Sequence, residues 1–217
     1  MQNLSPGEQH QKINHLVLDN GITLISVENQ ASDVIAARIF LKNAGARWEK
    51  REKAGLSHLL AAVITKGTEK FSSLEIAEQV ESIGANLGAD AAADYFLMSM
   101  KTVSADFPQI LKLTGEIMRS PTFPEAEVKL EAHLTRQSIR SQLERPFNVA
   151  FNQLRKAMYQ DHPYGVSILG TEETVSKLSR SDLQEYHQTY FRPDNLVISI
   201  SGRLNVEDAI SLVNHHK

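Results

Sequence analysis

Asp19-Asn20-Gly21 lies between two short runs of alternating apolar residues, His15 to Leu18 and Ile22 to Val27. An Asn-Gly pair accepts the positive φ angles of a tight hairpin turn. Alternation at period two sends every second side chain to one face, so the chain is committed near its start to an antiparallel strand pair. Val34 to Lys42 reads as a third strand of the same kind.

Downstream the period changes. Helices are predicted over 53–65, from Ser72 or Ser73 to about Ile83, and over Ala105–Met118, where Phe107, Ile110, Leu111, Leu113 and Ile117 recur at helical spacing. Gly67 is read as a left-handed C-cap of the first of these, and Gly84 closes the second. Residues 86–101 read as one strand. A long charged helix is expected over Glu125–Leu143, another from Pro146 to Tyr159, short helices near 171–177 and 180–189, a strand from Asn195 to Ser201, and a last helix from Val206 to Lys217. Strands, then groups of helices, then a returning strand describe an α+β fold on a mainly antiparallel sheet. With no low-complexity linker, residues 13–217 read as a single domain and residues 1–12 as a flexible polar arm. The last helix runs into His215-His216-Lys217 without Gly, Pro or cap, and the native chain is expected to continue beyond it.

Composition narrows the chemistry. The net charge is −3 with no Lys/Arg block, which speaks against a nucleic-acid partner. There is no Cys, hence neither a disulfide, a thiolate metal ligand nor a thiol nucleophile. The longest apolar runs, such as Val34 to Leu41, fall far short of the ~18 residues of a membrane helix. The polar opening MQNLSPGEQHQKINH has no signal-peptide core, so a soluble chain of unspecified compartment is expected.

The most informative stretch for function is GLSHLLAAVITKGT, Gly55 to Thr68. An inverted zinc motif, H-x-x-E-H, places two imidazoles at i and i+4 on one helix face and a Glu that polarises metal-bound water. Here His58 stands in the first position, while Ala61 and Ala62 fill the base and second-ligand positions. Alanine can neither donate a lone pair to a metal nor take up a proton.

The landmarks LDNGITLI, GARWE, G-L-x-H-L-L with K-G-T (Gly55, Leu56, His58, Lys66, Gly67, Thr68), HPYG (162–165), ILGT (168–171) and YFRPDNLVISISG (190–202) occur in one order. In that order they resemble the N-terminal half of the pitrilysin, insulin-degrading enzyme and mitochondrial processing peptidase family of zinc metallopeptidases. The resemblance implies a half-clamshell domain followed by a homologous C-terminal domain. It also implies a third metal ligand, a Glu eight residues before the proline that opens the next helix. Counting back from Pro146, that position is Ser138. Glu131 shares its helix face but lies ~10 Å away along the axis, and His133 is about 140° around the helix, so neither replaces it. Only His58 of the ligand set remains, no catalytic residue is expected, and no zinc or other cofactor is expected to bind.

In active relatives a strand resembling L-N-A-x-T-S-x-D-Y holds substrate backbone beside the metal. This chain has Leu87-Gly88-Ala89-Asp90-Ala91-Ala92-Ala93-Asp94-Tyr95, which keeps the frame but not the Asn or the Thr-Ser. Leu87, Gly88, Ala89 and Asp90 could still add an extended peptide through main-chain bonds alone. Glu75, Glu78 and Glu81 read as a solvated face, His162 as a brace for its loop, and Arg47 and Trp48 as packing and surface. The resemblance therefore implies a non-catalytic member of the family. Its expected partners are the homologous C-terminal half, a catalytic zinc-bearing subunit, or both, together with extended peptides. The alternative is a structural subunit like the respiratory-complex core proteins, with no role in proteolysis.

Overall fold

The computed structural model describes residues 12–215, so all of the polar arm except Lys12, and the last two residues of the final helix, lie outside the described residues. Three strands come first: β1 (Ile13–Val17), β2 (Thr23–Glu28) and β3 (Val34–Lys42). The β1–β2 turn closes with Gly21 N–H donating to Leu18 O, and the Asn20 side chain accepts from Ile22 N at 3.1 Å. Helix α1 (Leu56–Val63) and helix α2 (Ser73–Ser82) follow. Ser72 and Glu75 form a reciprocal capping box at the start of α2, which satisfies two otherwise orphaned N–H groups. Gly84, at φ 58°, closes that helix as expected.

Two expectations need correction. The predicted strand 86–101 is a hairpin, β4 (Asn86–Ala91) and β5 (Tyr95–Val103), with the reversal at Ala92-Ala93-Asp94. Ala92 N–H donates to Tyr95 O at 2.9 Å across that turn. Gly67 does not cap α1 either. The helix ends with Ile64 in right-handed geometry, and Gly67 pairs with Ser72 in an isolated antiparallel bridge.

The remaining elements are α3 (Phe107–Arg119), α4 (Glu125–Leu143), α5 (Pro146–Tyr159), α6 (Glu172–Lys177), α7 (Arg180–Tyr190), β6 (Leu196–Gly202) and α8 (Val206–His215). The sheet order is β1-β2-β6-β3-β5-β4, and four of the five pairings are antiparallel, β2–β6 being the parallel one. The late strand is thus inserted at the centre. Asn195, buried just before it, donates from its amide to Lys42 O (2.6 Å) and Tyr190 O (2.9 Å) and locks that insertion.

Period two divides the sheet into unequal faces. Leu24, Ile198, Ile39, Met98 and Ala89 lie in one row across it, and this face is buried under the helices through Leu59, Leu60, Phe107, Ile110, Ile117 and Val213. On the other face none of Ile25, Ser199, Arg38, Ser99 and Gly88 is buried.

Candidate functional site

Helix α1 lies between the edge strand β4 and the long helix α4, packing on both. Its start is set by backbone. Gly55 precedes the helix at φ +98°, and a Cβ there would meet Leu169 O at 2.7 Å. Gly170 at φ +73° is closer still, since its Cβ would fall 2.1 Å from Ala54 O. Thr174 Oγ1 donates to the same Ala54 oxygen at 2.7 Å. The ILGT segment, over a hundred residues downstream by sequence number, therefore seats the first turn of α1, and both positions need glycine to do so.

The first turn is finished by a carboxylate. Glu49 accepts from Gly55 N (2.8 Å) and Ser57 N (2.6 Å), taking up N–H groups that an eight-residue helix leaves open. Burial pushes the Glu49 carboxyl upward, against the pull of those bonds. Tyr186 packs nearby, its hydroxyl donating to Ala44 O at 2.7 Å. Burial, and secondarily the Glu49 charge, raise its phenol.

His58 projects from α1 half-buried. Burial lowers its imidazole, with the Asp90 and Glu131 carboxylates opposing. It makes no side-chain hydrogen bond among the described residues. Ala61 is 8% exposed and Ala62 half-buried. Ser138 is exposed on α4. Glu131 is engaged elsewhere: Lys66 Nζ lies 3.2 Å from its Oε1, with only 17% of the Glu131 side chain exposed. Among the described residues no group of three or more His, Cys, Asp or Glu side chains could hold a metal ion. Neither the Lys66–Glu131 pair nor the Glu49 cap was visible in the sequence, because both join residues on different elements with no shared motif.

The four edge-strand residues alternate. Leu87 and Ala89 face the core opposite Met100 and Met98, while Gly88 and Asp90 face the open side opposite Ser99 and Leu97. β4 ends the sheet and has a ladder partner on one side only. At the hairpin tip, Asp94 accepts from Tyr164 Oη (2.6 Å) and pairs with Arg47 (3.0 Å), whose guanidinium lies 5.0 Å from the Trp48 ring centroid. Those two bonds, Tyr164 first, hold the Asp94 carboxyl below its usual range. His162 Nδ1 accepts from Tyr164 N at 3.2 Å and braces the loop as expected.

A six-stranded, mostly antiparallel sheet under one helical layer, with a His-bearing helix wedged beside its edge strand, is a fold shared with solved bacterial peptidase structures. The chain belongs to the insulinase family, peptidase family M16, whose profile matches residues 24–172. The profile of the M16 inactive domain matches residues 177–216.

The chain is 30% identical over 193 residues to an uncharacterized zinc protease, YmxG, of Bacillus subtilis, covering 89% of this chain and 47% of that protein. It is 27% identical to the beta subunit of the rat mitochondrial-processing peptidase, covering 92% and 40% respectively. It is 26% identical to human cytochrome b-c1 complex subunit 1, covering 92% and 41%. The chain thus spans less than half the length of these relatives. A crystal structure of an M16 inactive domain from Pseudomonas fluorescens superposes with a TM-score of 0.90 at 23% identity, covering 94% of this chain and 50% of that one. A Helicobacter pylori protease gives 0.88 at 24%, covering 95% and 50%. At these identities the two structures speak for the fold.

No helix among the described residues is long and apolar enough to cross a membrane.

Proposed function

We propose that this chain is a zinc-less, non-catalytic half-chamber of the M16 family, which helps enclose and hold extended peptides for a catalytic subunit that carries an intact H-x-x-E-H. The observation that carries this reading is the donor set around α1. His58 stands alone, Ala61 and Ala62 offer no lone pair, Ser138 is turned to solvent, and Glu131 is tied to Lys66. Zinc sites take three or four donors at about 2.0–2.3 Å, and one imidazole does not meet that requirement. The residues present do not fit the metal.

Two uncovered surfaces support a partnered state. The sheet face opposite the helices is open, and α5 carries an exposed apolar stripe of Phe147, Phe151, Leu154 and Met158 at helical spacing. The one-sided edge of β4 supports the peptide-holding role, since strand addition uses backbone groups and tolerates Gly88 and the alanines beside it. The chain is read as one domain that pairs with a homologous C-terminal half, with such a catalytic subunit, or with both.

The test has two parts. Zinc per chain is measured after dialysis of zinc-treated protein, and a value near zero is expected. Peptide hydrolysis is then followed for a catalytic relative with and without this chain. A rise on mixing supports the proposal, while unchanged activity favours the second reading, a structural subunit, which rests on the likeness to cytochrome b-c1 complex subunit 1. One zinc per chain, lost on His58→Ala, overturns both.

A further inference from the structure

A cleft of about 950 Å³ opens between the C-terminal part of α4, helix α5 and the segment that leads into α6, away from His58 and β4. Its walls are apolar at Ile139, Leu143, Val149 and Val166. Its charges are unequally satisfied. Each carboxylate lining it already has a cation: Asp161 pairs with Arg51 (3.1 Å), Glu172 with Arg140 (2.7 Å) and Glu173 with Lys177 (2.6 Å). The cations Arg155 and Lys156 on α5 also line the cleft, and neither has a carboxylate partner among the described residues.

Arg155 is the unusual member. It is half-buried, its Nη2 donates to Asn152 Oδ1 at 2.9 Å, and its Nε is buried with no hydrogen-bond partner. Burial alone lowers its basicity, with no carboxylate opposing. A guanidinium presents a planar fork of donors that matches a carboxylate or phosphate, and a buried donor left unpaired is costly. Here one edge of the fork is held by Asn152 and the Nε–H is left unpaired at the wall of the cleft. Lys156, one residue on and exposed, adds positive charge at the mouth.

We propose that this cleft binds an amphiphilic organic anion, a carboxylate or phosphate monoester with an aliphatic or aryl tail, and that Arg155 is its anchor. The anion completes the Arg155 fork, and the tail lies against Ile139, Leu143, Val149 and Val166. The site is separate from the peptide edge and does not depend on the zinc-less reading.

The test is titration calorimetry of the 217-residue chain with sodium octanoate, phenyl phosphate and inorganic phosphate. Saturable one-site binding is expected for octanoate or phenyl phosphate with Kd below about 1 mM. Which of the two binds more tightly tells carboxylate from phosphate. Inorganic phosphate, lacking a tail, is expected to bind at least about tenfold more weakly. Arg155→Met is expected to cost at least about tenfold and Arg155→Lys less, because an ammonium keeps the charge and loses the fork. Should Arg155→Met fail to fold, the Arg155 Nε–H resonance of the wild-type chain provides the second readout, and it is expected to shift in saturable fashion with the probe. Absence of saturable binding by both tailed probes up to about 10 mM overturns the proposal. So does binding that neither Arg155→Met nor the Nε–H signal registers.

Discussion

Lys66 reaches from the turn after α1 to Glu131 on α4, its ammonium 3.2 Å from the carboxylate, and so pairs with one of the two acids whose charge acts on His58. The imidazole is left with the weak pull of two carboxylates against burial, and burial wins. Glu131→Gln is expected to lower the His58 pKa further, and Lys66→Met to raise it by leaving the Glu131 charge uncompensated. Titration of the His58 ring protons by NMR reads both. The sign for stability follows from linkage. The folded pKa lies below the unfolded value of about 6.5, so the unfolded chain binds more protons in that window. The His58 contribution is therefore complete above the unfolded pKa and is lost as pH falls towards the folded one. Glu131→Gln should widen the window of acid loss and Lys66→Met should narrow it.

Glu49 bears on the same helix from its other end. Glu49→Ala leaves the N–H groups of Gly55 and Ser57 without their acceptor. Hydrogen bonds to a charged group are each worth about 1.5–3 kcal/mol, and relief of the buried charge offsets part of this, so a net loss of about 2 kcal/mol is expected. Denaturant unfolding measures it. Because burial raises the Glu49 carboxyl, the cost of holding it ionised grows as pH rises through the folded pKa. The gap between wild type and Glu49→Ala should consequently be larger at pH 4 than at pH 8.

Much of the fold was readable because strands and helices announce themselves by period. The Asp19-Asn20-Gly21 hairpin, the β3 limits and the long α4 all stand where the residues put them. The β4–β5 reversal was missed because Ala92-Ala93-Asp94 contains neither Gly nor Pro. That turn is held by tertiary bonds instead, with Ala46 N donating to Ala92 O and Arg47 N to Ala93 O. Gly67 misled for the complementary reason, since a glycine shortly after a helix usually caps it and here it serves a bridge to Ser72. At the site, the motif positions of His58, Ala61, Ala62 and Ser138 could be counted in the chain. The exposure of Ser138 and the capture of Glu131 depend on how α4 is rotated against α1, which local pattern does not encode.

Gly45 is where that loop-to-hairpin contact is tightest. A Cβ there would lie 2.3 Å from Ala93 O and 2.5 Å from Tyr95 N, both backbone atoms. Gly45→Ala must push the 43–48 loop off the hairpin tip, breaking the Ala46 and Arg47 backbone bonds. Overpacking of this kind costs about 1–3 kcal/mol. The loss should appear in thermal unfolding, together with faster amide exchange at Ala46 and Arg47.

The α5 stripe predicts the opposite behaviour. Phe147 is 78% exposed and Phe151 51%, their rings stacked 6.2 Å apart on the surface. Phe147→Ser with Phe151→Ser removes little buried area, so the folding free energy should change by no more than about 0.5 kcal/mol per site. Pairing with a partner subunit, measured by sedimentation, should weaken. A large fall in stability with pairing intact would show that α5 packs within this chain rather than against another.

If Ala61, Ala62 and Ser138 are the vacated base and ligand positions, restoring them should restore the metal. The triple variant Ala61→Glu, Ala62→His, Ser138→Glu is expected to bind one zinc per chain, and the wild type is expected to bind none. Without metal it should be less stable than wild type by about 1–3 kcal/mol, because position 61 is nearly sealed and a Glu there buries polar atoms. Zinc should recover that loss, since a ligand that binds only the folded state stabilises it by mass action. A variant with Ala61→Glu and Ala62→His alone, lacking the α4 carboxylate, should bind more weakly. Equal zinc affinity for the double and triple variants would show that Ser138 does not face the metal and that the third ligand position on α4 has been wrongly counted.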